Sequence, residues 1–207
     1  TVMNRVMTTT GFSFAFSMFD GLTFESLSLT VDPNGQNFTF FGNDISNLKI
    51  DKCLIDGKVT HTGSVISHNC FIIGAPATGT HKNITVHNTD LTKYTFGILK
   101  DNTSTSTQVG IEFYNVNCTK YYKNAIGINS PNGIADDFQV LFCRFDDGQG
   151  IDAGEINTHS IALASVSNFS VSLCKFYGKA SAAIHIEEKC SVGTVTNNLI
   201  NTDGSGI

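Results

Sequence analysis

The chain has 207 residues, a formal net charge of −5 and only 15% charged residues, against about a quarter in ordinary soluble domains. In their place stand 18 Ser, 23 Thr and 19 Asn, with 19 Gly, 16 Phe and no Trp. The 41% apolar content can fill a core, which excludes disorder, and the sparse Ala, Glu, Lys and Leu exclude a helix bundle. No apolar run reaches the roughly 18 residues of a membrane span, and the mild acidity gives no reason to expect nucleic acid or a membrane as partner.

Residues 1–21 alternate through Phe12, Phe14, Phe16 and Met18 and read as the end of a preceding coil or a capping strand. A pattern then begins and recurs: apolar, any, apolar, two of any, small or polar, any, apolar. It runs through Leu22, Phe24, Leu27 and Leu29, then Leu48, Ile50, Cys53 and Ile55, then Ile84, Val86, Thr89 and Leu91. Val109, Ile111, Tyr114 and Val116 follow, then Phe138, Val140, Cys143 and Phe145, then Phe169, Val171, Cys174 and Phe176. The last copy, Gly193, Val195, Asn198 and Ile200, is weak at its first position. The starts lie 26, 36, 25, 29, 31 and 24 residues apart, and Gly21, Asn47, Asn83, Asp137 and Asn168 supply a turn former just before a copy.

A second short strand follows each copy. The expected sites are Phe38 to Phe40, Val65 to Ile66, Phe96 to Ile98, Ile126 to Ile128, Gly150 to Ile151, Ala183 to Ile186 and Gly206 to Ile207. A third strand fits between some coils, at Phe71 to Ile73 and Ile161 to Leu163. The alternation has the period of two of strands, and no helical period is sustained. Head-to-tail copies without hairpin turns argue against a sandwich or barrel, and the leucine-rich-repeat and propeller signatures are missing.

The expected fold is all-β: a right-handed parallel β-helix, a single-stranded solenoid of about seven coils over residues 22–207. Interior ladders of Val, Ile, Leu and Phe then form the core, and Asn, Ser and Thr stack at the bends. Six cysteines occur without any C-x-x-C pair, each beside apolar or small residues. Cys53, Cys143 and Cys174 share one slot of the repeat, which predicts buried free thiols and folding in a reducing compartment. With no starting Met, signal peptide or obvious cap, the chain is expected to continue beyond this segment.

The stacked copies, such as Asn83-Ile-Thr-Val-His-Asn-Thr-Asp-Leu91 and Asn168-Phe-Ser-Val-Ser-Leu-Cys-Lys-Phe176, resemble the pectate-lyase-like right-handed β-helix superfamily. Within it the chain is most similar to bacteriophage tailspikes. That resemblance implies a homotrimer on the virion tail, acting at the bacterial cell surface, that binds surface polysaccharide. Depolymerisation, by a glycoside hydrolase or a lyase mechanism, is a further implied activity. The alternative is a non-enzymatic structural or adhesive fibre segment.

Cleaving a glycosidic bond takes two facing carboxyl groups, and β-elimination takes a base with charge stabilisation. Aligning Ile151 with Ile184 stacks Asp152 near His185 on an outward face, with Glu155 and Glu187 close by. These four are the candidate catalytic residues; the competing reading is an ordinary solvated face. Lys120, Tyr121, Tyr122 and Lys123 place two aromatics between two cations and are the candidate substrate-binding residues, against a solvated loop with covering rings. Asp146-Asp147-Gly148 and Asn201-Thr202-Asp203-Gly204 resemble polygalacturonase fragments, but in reversed order and without Gly-His-Gly, so they read as turns. Neither a metal site nor a cofactor is expected: His61, His68, His81 and His87 lack ligand spacing.

Overall fold

The computed structural model describes residues 6–10, 14–32, 37–57, 61–62, 65–66, 70–74, 79–94, 96–98, 105, 107–129, 132–148, 158–187 and 189–207. Its strands begin with β1 (Val6–Thr10), β2 (Phe14–Asp20), β3 (Thr23–Glu25), β4 (Ser28–Asp32), β5 (Asn37–Asp51) and β6 (Leu54–Asp56). A short pair follows, β7 (His61–Thr62) and β8 (Val65–Ile66). Five turns of three strands come next. They are β9 (Cys70–Gly74), β10 (Thr80–His87) and β11 (Asp90–Thr92); β12 (Phe96–Ile98), β13 (Thr107–Tyr114) and β14 (Asn117–Thr119). Then come β15 (Asn124–Asn129), β16 (Ile134–Leu141) and β17 (Arg144–Asp146); β18 (His159–Ala164), β19 (Val166–Ser172) and β20 (Lys175–Gly178); and β21 (Ala182–Ile186), β22 (Ser191–Thr196) and β23 (Leu199–Thr202).

Every described strand except β7 and β8 pairs in parallel with a strand of the neighbouring turn, so the fold is a parallel β-solenoid. One face is the eight-stranded sheet β1-β4-β6-β11-β14-β17-β20-β23. The other two faces join because β5 runs through the corner between them: its first part pairs with β9 and its second with β10. The complete three-strand turns number five among the described residues, against the seven coils expected.

The repeat holds, with three corrections. Ile84 pairs with Ile111 and Ile111 with Phe138, so the fourth copy begins at Ile111, two residues later than its sequence alignment. Val65 and Ile66 belong to an antiparallel pair with β7, an excursion within the longest repeat. The strands at Phe71 and Ile161 are no third strands: Phe71 pairs with Phe38 and Phe96, and Ile161 with Ile126 and Ile184, all on the face of the second strands.

The core follows the columns. Leu48, Ile84, Ile111 and Phe138 are each at most 1% exposed, and Phe145 stacks flat on Phe176 with ring centroids 4.9 Å apart. Among the described thiols, Cys53, Cys118, Cys143 and Cys174 are free and buried, and Cys190 is free and partly buried. Each slot thiol donates back to its own strand: Cys53 Sγ to the Asp51 carbonyl at 3.3 Å, Cys143 Sγ to Leu141 at 3.4 Å and Cys174 Sγ to Ser172 at 3.3 Å. In Thr89 the hydroxyl takes this role, donating to the His87 carbonyl at 2.7 Å.

Corners come from residues in the left-handed region. Gly21, Asn47, Asn83, Asp137 and Asn168 have φ of 70°, 54°, 53°, 53° and 50°. Asn and Gly adopt this conformation at least cost. Amides tie corner to corner: Asn83 Nδ2 donates to Asn47 Oδ1 at 3.0 Å and Asn115 Nδ2 to Asn88 Oδ1 at 2.9 Å.

Candidate functional site

In β14, β17, β20 and β23 the middle residues Cys118, Phe145, Phe176 and Ile200 pack inward, so their neighbours face out. Register places Asp146 beside Tyr177, and Tyr177 beside Asn201. Arg144 ties this row together. Its Nη2 donates to Asp146 Oδ2 at 2.6 Å, and its guanidinium carbon lies 4.8 Å from the centre of the Tyr177 ring. The hydrogen bond to Asp146 raises the Arg144 pKa further above its ordinary value. Such a planar cation spread over a ring holds both side chains in place.

The next corner deepens this face. Lys93, Lys120, Asp147 and Gly178 are all left-handed, with φ of 53°, 54°, 60° and 73°. At Gly178 a Cβ would stand 3.3 Å from the Asp147 amide, a close approach that the missing side chain relieves. Turn is hung on turn by Lys120 N donating to the Asp146 carbonyl at 3.2 Å and Asp203 N to the Gly178 carbonyl at 3.2 Å. The result is a groove of about 570 Å³ lined by Thr119, Lys120, Asp146, Asp147, Gly178, Lys179 and Asp203. Carboxylates and ammonium groups thus alternate across successive turns, and Tyr177, in register with Asp146, adjoins this lining. Chemically that arrangement offers hydroxyl-rich ligands acceptors, donors and a stacking face.

The sequence-predicted residues fare unevenly. Asp152 and Glu155 lie outside the described residues. The register that placed Asp152 beside His185 is corrected: Ile161 is level with Ile184 and Ala162 with His185. His185 instead meets His159, and its Nε2 lies 3.8 Å from the exposed Glu187. Tyr121 and Tyr122 are 0% and 3% exposed, so neither ring presents a face to a sugar. Tyr121 shares a 2.7 Å hydrogen bond with Ser160, its ring centre is 6.5 Å from that of Tyr94, and burial raises its phenol pKa. The corner at Lys120 turns the chain inward at once, which is why the tyrosines join the core. Lys120 itself lines the groove, while Lys123 is half-buried and its carbonyl accepts from His159 N at 2.9 Å.

Sequence reasoning missed Arg144, Tyr177 and Lys179. The signal was present: Asp146, Tyr177 and Asn201 each follow the last apolar position of a copy. Asp147 is a corner residue, as expected of a turn, while Asp146 ends β17, and both meet Asp203, two turns on, in one groove.

No protein-family model matches the chain, and no curated protein matches it. Among solved structures, the surface protein and adhesin PfbA of Streptococcus pneumoniae is similar at a TM-score of 0.33 and 13% identity, over 99% of this chain and 80% of that one.

Proposed function

We propose that the chain is a β-solenoid module that binds bacterial surface polysaccharide along the outward face of its eight-stranded sheet. The groove beside Tyr177 carries this reading, because it runs across successive turns and suits a polymer lying along the solenoid axis. Its mixed charges favour a hydroxyl-rich chain, and the Arg144-braced ring gives one sugar a face to stack on. Asp146, Asp147 and Asp203 are the carboxylates available for hydrolysis or elimination at the same place. The finer reading is a homotrimeric phage tailspike on a virion tail; the Asn-, Ser- and Thr-rich stacked turns and the interior thiols support it.

The test is co-sedimentation of the chain with purified capsule or lipopolysaccharide from a panel of bacteria. Tyr177→Ala is expected to weaken binding about tenfold, the equivalent of ~1.4 kcal/mol. Cleavage is followed on the same samples through new reducing ends and ultraviolet absorbance of unsaturated products. Binding with neither signal makes the module an adhesin. Failure to bind any glycan, or equal binding by Tyr177→Ala, overturns the groove and leaves a structural spacer.

A further inference from the structure

Away from the groove, two histidines converge on a different face. His159 opens β18 and His185 lies one turn on, in β21. Nδ1 of His185 stands 2.9 Å from Nε2 of His159, with ring centroids 4.2 Å apart and planes at 67°. The residues in register before His185 are Ala162 and Gly127, so the pair has small neighbours along that column.

Two neutral imidazoles at this separation share a single proton. His159 is 6% exposed, and the ring of His185 lies against it. A divalent ion offers both lone pairs a partner. Ligand bonds of about 2.0–2.1 Å around a tetrahedral ion put two nitrogens roughly 3.3 Å apart, so the pair opens by only about 0.4 Å. An oxygen acceptor stands beside the His185 ring. Glu187 Oε1 is 3.8 Å from the other nitrogen of His185. Asn124, in register with His159 on the preceding turn, is 8% exposed and its Oδ1 has no hydrogen-bond partner among the described residues. Ligating histidines are commonly oriented by oxygens of this kind.

We propose that His159 and His185 form a binding site for a divalent transition-metal ion, of the zinc, nickel or copper(II) class that imidazole suits. Nε2 of His159 and Nδ1 of His185 are the ligands, and water fills the remaining positions. Among the described residues no group of three or more His, Cys, Asp or Glu gathers, so the protein supplies two ligands and the rest are water. It stands independently of the glycan reading. Sequence spacing does not reveal it, because the two ligands are 26 residues apart and meet only through the turn.

Calorimetric titration of the full chain with zinc chloride tests it, with cobalt(II) absorption as a coordination readout. One ion is expected per chain, with affinity well below millimolar. His185→Gln, checked for its fold by circular dichroism, is expected to bind at least tenfold more weakly. Affinity also falls on acidification, because protons compete with the ion for imidazole nitrogen. In the unmodified chain, nuclear magnetic resonance should show the His159 and His185 rings responding to zinc before the other four histidines. No binding tighter than millimolar, equal affinity in His185→Gln, or a first response at other histidines overturns the site.

Discussion

Leu173 and Phe142 occupy a corner that other turns fill with Asn88, Asn115 and Asn197, and they share the same left-handed backbone, with φ of 57° and 56°. An asparagine side chain tolerates this region, whereas a branched or bulky one crowds the carbonyl. Leu173 is also 45% exposed, so little packing compensates. Leu173→Asn is therefore expected to stabilise the fold by about 1 kcal/mol, read as a raised midpoint in urea unfolding. A lowered midpoint would mean that the contacts of Leu173 outweigh its strain. At this scale the corners were legible wherever a turn former sits, as at Asn47 or Asp137. They were illegible at Lys52, Leu173 and Val192, whose residue types carry no turn signal.

Along a strand the limits of legibility have a different cause. A shift of two residues leaves every side chain on the same face. Val109, Ile111 and Phe113 therefore satisfy the pattern in two registers, and only the pairing of Ile84 with Ile111 selects one. Ile151 was aligned with Ile184 for another reason: it lies ten residues before Ile161, and either short apolar stretch after the copy at Phe138 fits a second strand. The weak first position of the last copy, by contrast, has a packing explanation. A Cβ on Gly193 would fall inside the ring of Phe169, its register partner one turn before. The two positions thus share one side chain's worth of space. Gly193→Ala is expected to cost about 1–3 kcal/mol in thermal unfolding, and Phe169→Leu in the same chain to recover part of it. Equal stability of Gly193→Ala would show that the ring swings aside freely.

For the molecule as a whole, the interior is a shaft of apolar, aromatic and thiol groups, and burial makes Cys118, Tyr94 and Tyr121 within it resist ionisation. Burial raises the Cys118 thiol from 9.0 to about 12, and it raises the Tyr94 and Tyr121 phenols as well. Between about pH 9 and 12 the unfolded chain therefore sheds the Cys118 proton while the folded chain keeps it, so stability falls as pH rises through that window. The contribution is intact below pH 9 and gone above 12. Urea midpoints taken across that range should decline, and Cys118→Ala should flatten part of the decline. An unchanged slope in that variant would locate the effect elsewhere. The parallel ladder has a consequence for synthesis too. Lys175 N bonds back to the Cys143 carbonyl, and Leu199 N to the Cys174 carbonyl, each reaching into the turn before. A chain leaving the ribosome thus finds, for each new turn, a template already made. Growth then proceeds by accretion from the amino-terminal side, each new strand docking on a ladder already in place and completing its second ladder when the next turn follows.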